Sequence, residues 1–255
     1  IMQAEERYSR IENHLQKVEF ASLDELSEQL DVSVSTIRRD LTTLEKEGNI
    51  RRTHGGARIV QPKTDDFVFA TRNTRKTAEK DAIGKACASL INAHQTTILD
   101  AGSTVYHVAC HLGQKSPPII TNSIPITNLF SNNNLTEVVV TGGIIYPRLE
   151  VLVGPLAVES FSKVHADIAV MSASGITTEG IYNSHALLID IQKEMLRSAD
   201  KVICCMDHTK FDRRCMFFLT DFEPIDCIVT DSKAPMNLVE ELRKKGIEVI
   251  TAPDA

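Results

Sequence analysis

The feature that most constrains the fold is an alternation between short apolar runs and helix-sized segments, which begins near residue 97 and continues to residue 251. The apolar runs, which we predict to be strands, are residues 97–100, 119–121, 137–141, 167–172, 201–207, 227–230 and 248–251. Segments such as STVYHVACHLG and APMNLVEELRKKG lie between them and are long enough for helices. Parallel strands need such crossovers, and the helices then cover both faces of the sheet. The alternation therefore predicts an α/β fold with a mostly parallel, Rossmann-like sheet.

Residues 5–60 follow a different pattern, which predicts three helices and a hairpin. Apolar residues keep helical spacing from Tyr8 to Val18, through Ile11 and Leu15. Ser22 and Glu25 fit the S-x-x-E capping box, in which both side chains bond free amides at a helix start. A third helix, which Ser33 can cap, turns one apolar stripe inward: Val34, Ile37, Leu41 and Leu44. Two helices joined by a short turn, the second with a polar N-terminal half, are typical of a helix-turn-helix.

The polar face of the third helix and the segment after it carry the local positive charge that DNA binding needs. The helix face consists of Ser35, Thr36, Arg38, Arg39 and Thr42. No acidic residue occurs from Asn49 to Lys63, although the formal net charge of the chain is −6. This acid-free stretch carries Arg51, Arg52, His54, Arg58 and Lys63, and Gly55-Gly56 allow a tight hairpin turn. The pattern predicts a wing beside a recognition helix.

The segment VSVSTIRRDLTTLEKEGNIRRTHGGA resembles the winged helix-turn-helix of DeoR-type repressors. The resemblance covers the whole N-terminal region, and it implies a transcriptional regulator that binds double-stranded operator DNA. Carried over by position, it implies that DNA is faced by Ser33, Ser35, Thr36, Arg38 and Arg39 on the helix and by Arg51, Arg52, Thr53, His54 and Gly55 on the wing. We predict that Asp40 orients a neighbouring arginine, because phosphate repels a carboxylate.

Small and hydroxyl-bearing residues follow the predicted strands of the second region. Open α/β sheets bind ligands beyond the carboxyl ends of their strands, where helix N-termini offer free amides to anions. The segments at these ends are DAGST after residue 99, TNS after residue 120, TGG after residue 140, SASG after residue 171 and DHTK after residue 206. Lys210 supplies a cation, and Asp100 or Asp207 can accept bonds from sugar hydroxyls. These strand ends together predict a site for a phosphorylated ligand.

The same segments match, in order, the landmarks of the DeoR-type effector domain: LDAGSTVYHVACHL, ITNSIPITNLF, VVVTGG, ADIAVMSASGITTEGIY and DHTKF. That domain is similar to the sugar-phosphate isomerase and CoA-transferase fold. The resemblance implies that Gly102, Ser103 and Thr104 hold a phosphate, and that the rest of the site is lined by Asp100, Asn122, Ser123, Gly143, Gly175, Asp207 and Lys210. The segment NSHALLIDIQKEM lacks the glutamate of a Glu-Ala pair that many members carry. With GIYNS, it looks more like the subgroup similar to the ascorbate-utilisation repressor, whose effector is a six-carbon acid phosphate.

Two classes of function fit these patterns. The first is a repressor of a carbohydrate-utilisation operon, whose operator binding is controlled by a phosphorylated sugar or sugar acid. The alternative is a sugar-phosphate isomerase-like enzyme fused to a DNA-binding domain, with Asp100 or Asp207 as the general base. The acid-rich Asp-Gly-Ala-Asp-Glu type of motif that resembling isomerases use is absent from the sequence. We therefore predict a regulator with no catalytic residues, whose domains are 1–60 (winged helix), 61–75 (linker) and 76–255 (effector domain).

The remaining expectations concern metals, partners and location. His107 and His111 are spaced i, i+4, but no third ligand accompanies them, so we predict no metal and no cofactor. Paired operator half-sites predict a homodimer or homotetramer. Among the six cysteines no C-x-x-C pair occurs, and four lie in apolar or helical runs, which is typical of buried thiols in a cytoplasmic protein. No apolar run approaches the length of about 18 residues that spans a bilayer, so no membrane partner is expected.

Overall fold

The structure is a computed structural model that describes residues 4–18, 20–46, 50–53, 55–59, 68–113, 116–132 and 134–253. The chain forms two compact units, Ile1–Asp66 and Phe67–Ala255. Within the described ranges, no helix has the length and apolar character needed to cross a membrane.

The first unit consists of helices packed beside a small antiparallel sheet. Its elements are α1 (Ala4–Val18), β1 (Phe20–Ser22), α2 (Leu23–Leu30), α3 (Val34–Lys46), β2 (Ile50–Thr53) and β3 (Gly56–Ile59). The strands are ordered β1-β3-β2, and both pairings are antiparallel. The predicted capping box is confirmed: Ser22 Oγ accepts the Glu25 N–H at 3.1 Å, and the Glu25 carboxylate accepts the Ser22 N–H at 3.4 Å. This arrangement is the predicted winged helix-turn-helix.

The predicted apolar stripes meet in one core. Its buried members are Ile11, Leu15, Ala21, Leu26, Leu30, Ile37, Leu41, Leu44, Ile50 and Ala57. Val18 was predicted to extend the stripe of α1, but its side chain is 44% exposed, because the helix ends there. Val34, at the first turn of α3, is only half-buried.

The second unit is built on a seven-stranded sheet. Its elements are α4 (Phe69–Asn73), α5 (Thr77–Ala88), β4 (Thr97–Leu99), α6 (Ser103–His111), β5 (Ile119–Thr121), α7 (Ile124–Phe130), β6 (Val138–Val140), β7 (Ile144–Tyr146), β8 (Val151–Val153), α8 (Pro155–Ser162), β9 (Ala166–Met171), β10 (Gly175–Thr177), β11 (Gly180–Asn183), α9 (Ala186–Arg197), β12 (Ala199–Cys205), a 3-10 turn (His208–Lys210), β13 (Phe217–Thr220), β14 (Cys227–Asp231), α10 (Met236–Lys244) and β15 (Glu248–Ala252). The sheet order is β15-β14-β12-β9-β4-β5-β6, and every pairing in it is parallel. Each predicted strand contributes one strand to this sheet, which confirms the predicted α/β fold.

Two smaller sheets were not predicted. β7 and β8 form an antiparallel hairpin, and β10, β11 and β13 form a three-stranded antiparallel sheet. Each of these strands has only three or four residues, which is too short for a period of two to stand out from the neighbouring helical segments.

The large sheet has an apolar layer on each face. The adjacent residues Cys204 and Cys205 lie in different layers. Cys204 lies in the layer that also contains Phe161 and Met195, whereas Cys205 lies in the opposite layer with Val105 and Ile203. The interpretation that these adjacent side chains point to opposite faces is confirmed. Four cysteines are buried, as predicted, and burial raises the pKa of the Cys204 and Cys227 thiols, the latter to about 12.

Candidate DNA interface and effector site

A hydroxyl network forms the N-terminus of α3. Ser33 Oγ accepts the Thr36 N–H at 3.2 Å, which is the predicted cap. The same oxygen lies 2.8 Å from Ser35 Oγ and 2.9 Å from Thr36 Oγ1. The three hydroxyls predicted to face DNA are therefore held together at the helix start.

The remaining side chains of α3 divide as an amphipathic helix requires. Ile37, Leu41 and Leu44 are buried, whereas Arg38 and Arg39 are exposed. This exposure leaves both arginines accessible to a DNA groove, and their contact with DNA remains a prediction.

Asp40 is the one charged residue on the buried side of α3. Its side chain is 5% exposed and receives two hydrogen bonds from Arg7 of α1, Nε to Oδ2 at 2.7 Å and Nη2 to Oδ1 at 2.8 Å. The neighbouring carboxylate raises the pKa of Arg7. Asp40 thus orients an arginine, as its sequence context predicts, and the pair joins α1 to the recognition helix.

The wing is joined to the same helix by Arg52. Its Nη1 donates to Thr42 Oγ1 at 2.6 Å, and its backbone N–H donates to Glu45 Oε1 at 2.9 Å. Arg51, Arg52, Thr53 and Gly55 are all exposed, and His54 lies outside the described residues. Arg52 therefore positions the wing against α3, in addition to its predicted role at DNA.

In the second unit, the parallel sheet brings most of the predicted effector residues to the carboxyl ends of its strands. Asp100 and the segment 102–104 follow β4, Asn122 and Ser123 follow β5, and Asp207 and Lys210 follow β12. Gly143 follows β6, while Gly175 begins β10 in the separate antiparallel sheet.

The carboxylate of Asp100 is already surrounded by donors from the protein. Oδ1 accepts the Ala101 N–H at 2.8 Å, and Oδ2 accepts the Ser172 N–H at 3.2 Å and Gln192 Nε2 at 2.9 Å. Asp100 is 3% exposed, and this burial raises its pKa despite the three bonds. The group therefore joins β4, β9 and α9, and a bond to a sugar hydroxyl would use its remaining lone pair.

Two buried polar atoms at neighbouring strand ends have no hydrogen-bond partner among the described residues. They are Asn122 Oδ1 after β5 and Thr141 Oγ1 after β6, and their residues are 0% and 4% exposed. The amide nitrogen of Asn122 donates to Leu152 O at 3.1 Å, which fixes the orientation of its side chain. Unmade buried hydrogen bonds are uncommon in folded proteins and point to a missing partner.

The adjacent α6 begins without a side-chain cap. Its first residues, Ser103 and Thr104, are buried, and Gly102 occupies the N-cap position without a side chain. The first amides of this nine-residue helix, which follows β4, are therefore not bonded by a side-chain cap.

A cluster of cations lies near the carboxyl ends of these strands. Of its members, only Lys210 was predicted. Lys80 of α5 is 4% exposed, and its Nζ donates to the Arg72 carbonyl of α4. Burial lowers the pKa of Lys80 to about 8; the carboxylate of Asp207 opposes this shift, whereas Lys210, Arg72 and Arg75 add to it. Burial also lowers the pKa of Lys210 and Arg72. Burial is the largest cause of the lowered pKa in all three groups, and the largest charge effect on each comes from a carboxylate that opposes it, Asp207 for the two lysines and Asp100 for Arg72.

The segment after β12 is held by carboxylates. Asp207 Oδ1 accepts the Thr209 N–H at 2.9 Å, which caps the 3-10 turn. His208 Nδ1 lies 2.8 Å from Asp231 Oδ1, and the His208 N–H donates to Asp231 Oδ2 at 2.7 Å. These bonds fix the backbone that carries Lys210.

Gly143 and Gly175 have a packing role. A Cβ on Gly143, whose φ is +134°, would lie 2.6 Å from Val153 O, and one on Gly175 would lie 2.1 Å from Arg213 O. Both positions exclude any side chain because a backbone approaches them. The contact of both glycines with an effector remains a prediction.

Lys80 and Gln192 could have been found from the sequence. Lys80 is in phase with Ile83, Gly84 and Cys87, the buried face of α5, and Gln192 lies on the buried face of α9. A charged or amide residue that keeps helical spacing with buried apolar residues is itself expected to be buried and to have a polar partner.

The His107 and His111 pair is associated with a carboxylate of α5. His111 Nε2 lies 2.9 Å from Asp81 Oδ1, and His107 Nδ1 lies 3.9 Å from the same oxygen. In the part of the chain that the structure describes, no group of three His, Cys, Asp or Glu side chains could hold a metal ion.

A winged helix-turn-helix unit joined in one chain to an α/β unit is typical of DNA-binding transcriptional regulators. Two family models match this chain: the DeoR-like helix-turn-helix domain over residues 7–63 and the DeoR C terminal sensor domain over residues 75–232. The chain therefore belongs to the DeoR family of transcriptional regulators.

Curated relatives match nearly the full length. The HTH-type transcriptional regulator GolR of Listeria innocua is 33% identical over 96% of this chain and 97% of the relative. The HTH-type transcriptional repressor GlcR of Bacillus subtilis is 30% identical over 98% and 96%. The L-fucose operon activator of Haemophilus influenzae is 33% identical over 90% and 93%. Among solved structures, ribose 5 phosphate isomerase A from Neisseria gonorrhoeae matches 53% of each chain with 13% identity and a TM-score of 0.37, which carries no functional conclusion.

Proposed function

We propose that the protein represses a carbohydrate-utilisation operon, and that a phosphorylated sugar or sugar acid controls its binding to operator DNA. The repressor name of the Bacillus subtilis relative supports repression, whereas the Haemophilus influenzae relative is named an activator; the L-fucose operon in that name supports a sugar-related target. The predicted boundaries, with a linker at residues 61–75, belong to the same proposal.

The observation that carries the proposal is the pair of unbonded oxygens on Asn122 and Thr141 beside the uncapped start of α6. Each buried oxygen left without a donor costs about 1–3 kcal/mol, which a ligand hydroxyl would recover. The free amides of α6 and the nearby Lys80 and Lys210 attract an anion. Hydroxyl donors and a phosphate on one small molecule would satisfy both requirements.

For such a ligand to release DNA, it must bind the DNA-incompetent state more tightly than the competent one. A complete switch from 1:99 to 99:1 requires a preference of about 10⁴-fold. Linkage then requires that operator DNA weaken effector binding by the same factor with which effector weakens operator binding.

A thermal-shift screen tests the ligand class, with phosphorylated sugars and sugar acids compared against the same compounds without phosphate. A selective binder raises the melting temperature by mass action. The hit is then added to a complex of the protein with the DNA upstream of its own gene, and fluorescence anisotropy follows release. If no phosphorylated compound raises the melting temperature, or if the best hit leaves the DNA complex intact, the proposal is wrong.

The variant Ser103→Glu locates the anion site. It places a like charge against the phosphate at the start of α6, so the thermal shift should disappear. Ser162→Glu, an exposed position at the end of α8, is the matched control and should keep the shift. A response that survives in Ser103→Glu would place the phosphate elsewhere.

The enzyme alternative can be separated from the regulator by a turnover assay. Asp100, one of the two candidate bases, already receives three hydrogen bonds, and Asp207 caps the turn that carries Lys210. These bonds give both carboxylates a role within the protein, which supports the regulator over the enzyme. Saturable isomerisation of a sugar phosphate by the purified protein would overturn this proposal.

A further inference from the structure

β6 is an edge strand with an open side. In the described part of the chain it pairs with β5 only. The Glu137 carbonyl accepts the Ile119 N–H at 2.9 Å, and the Thr141 N–H donates to the Thr121 carbonyl at 3.1 Å. Because hydrogen-bonding direction alternates along a strand, the backbone groups of Val138 and Val140 point away from β5. These groups are a template for another strand.

The side chains of this edge are apolar as well. Val139 is 45% exposed and Val140 is 40% exposed, and as consecutive residues they face opposite sides of the sheet. β6 consists of three valines, so it has neither the charged residues nor the Pro that protect edge strands against pairing. The opposite edge, β15, presents Glu248 and Thr251 to solvent. The β6 edge of the sheet is thus apolar and the β15 edge is polar, so only the β6 edge favours the addition of another strand.

Further exposed apolar residues continue this surface. Ile144 and Ile145 on β7 are 70% and 58% exposed, and Leu156 on α8 is 62% exposed. A Cβ placed on Gly142 would lie 3.7 Å from Leu156 Cβ, and one placed on Gly154 would lie 3.9 Å from Ile144 Cδ1. We call Val139, Val140, Ile144, Ile145 and Leu156 the β6-edge patch.

The exposure of the β6-edge patch fits an interface between two folded copies. Its five residues are between 40% and 70% exposed, whereas monomers rarely expose a contiguous apolar patch larger than a few hundred Å². A stable interface covers about 800 Å² on each partner, and about 65% of a homodimer interface is apolar. The β6-edge patch therefore has the apolar character that such an interface needs.

We propose that a second copy of this chain docks on the β6-edge patch, with the two β6 strands paired antiparallel across a twofold axis. Val138 of one copy then lies opposite Val140 of the other, which matches the residues whose backbone groups point outward. In this register Glu137 lies opposite Thr141, so identical charges do not face each other. The pairing joins two seven-stranded sheets into one.

Sedimentation equilibrium of the full chain tests this surface. The wild type should sediment as a dimer or a larger even oligomer at micromolar concentration. Ile145→Glu and Leu156→Lys each place a charge in the β6-edge patch and should raise the dissociation constant by at least about 100-fold, which corresponds to about 2.7 kcal/mol. Leu156 lies on the exposed surface of α8, outside the intramolecular β7–β8 pairing that contains Ile145, so Leu156→Lys guards against misfolding of the Ile145→Glu variant.

The matched control is Leu187→Glu, which changes a 52% exposed leucine of α9 outside the β6-edge patch and should leave the mass unchanged. Circular dichroism checks that each variant is folded. A monomeric wild type, or folded Ile145→Glu and Leu156→Lys proteins with wild-type mass, would overturn the proposal. The effector thermal shift, measured on the same samples, reports separately on the proposed function.

Discussion

At the scale of single residues, the buried charges divide into those with an ionic partner and those without one. Asp40 receives two hydrogen bonds from the Arg7 guanidinium, whereas Lys80 donates to a backbone carbonyl. A buried pair is strongly sensitive to the loss of one member, because the other is left uncompensated. A buried cation without a counter-ion opposes folding until it loses its proton or gains a ligand. These two situations predict opposite effects of substitution.

Asp40→Asn should destabilise the first unit by about 1.5–3 kcal/mol, because it removes the charged acceptor of two hydrogen bonds from the Arg7 guanidinium. The measurement is urea unfolding of the full chain followed by helical circular dichroism. Glu6→Gln is the control: it removes a pair with Arg10 on the same α1, but both side chains are more than half exposed. That change should cost less than about 0.5 kcal/mol. Equal effects of the two substitutions would contradict the bracing role of Asp40.

Lys80→Met should stabilise the unliganded protein at pH 7. The pKa of Lys80 is about 8 in the folded state against an ordinary value of 10.5, so below pH 8 the fold retains a buried charge. Removing that cost, less the hydrogen bond to Arg72 O, should give about 1–3 kcal/mol.

The stability difference between Lys80→Met and the wild type should depend on pH. Between pH 8 and 10.5 the unfolded state binds more protons at Lys80 than the folded state, so wild-type stability gains with rising pH from this group. The advantage of Lys80→Met should therefore shrink from pH 7 to pH 10. Urea unfolding at both pH values measures it, and Lys85→Met on the exposed face of α5 should show no such trend. A variant less stable than the wild type at pH 7 would refute the argument.

At the scale of elements, helix α3 presents hydroxyls and arginines on one side and its core stripe on the other. Arg38 is exposed on the side that we predict to face DNA, and Asp40 joins the buried side of the helix to Arg7 of α1. A bidentate arginine contact to a base is worth about 1–3 kcal/mol, whereas a phosphate contact changes the salt slope by about one.

Arg38→Ala should therefore weaken operator binding by about 5- to 150-fold, as measured by fluorescence anisotropy at several salt concentrations. The effector thermal shift should stay unchanged, since the substitution lies in the other unit. Arg197→Ala, at the exposed end of α9, is the charge-matched control. An Arg38→Ala protein with wild-type affinity for DNA would remove the recognition role of this helix face.

The elements also show what a sequence can and cannot predict here. Long apolar runs and the capping box at Ser22 act locally, and the strands and helix starts they predict are present. The hairpin β7–β8 and the sheet β10-β11-β13 are stabilised mainly by tertiary packing, such as the approach of Arg213 to Gly175. In the site, DAGST was visible as a local motif. The cations of α4 and α5 lie about 20 residues or more before it, and only folding brings them to the same edge.

At the scale of the whole molecule, each unit has its own core. The buried cluster of the first unit contains residues between Ile11 and Ala57, and the two clusters of the second contain residues between Ile83 and Ala252. A unit with a separate core can unfold in a separate transition. The protein should therefore melt in two steps, and ligand binding to one unit need not stabilise the other.

The fragment of residues 67–255 should fold alone and bind the effector. Calorimetry of the full chain should show two transitions, and one of them should match the single transition of the fragment. Effector at 100 times its dissociation constant stabilises the site by about 2.7 kcal/mol, so it should raise that transition and leave the other unchanged. A fragment that is unfolded by circular dichroism would contradict the independence of its core. If effector raised both transitions equally, the stabilities of the two units would be coupled, and their predicted independence would be wrong.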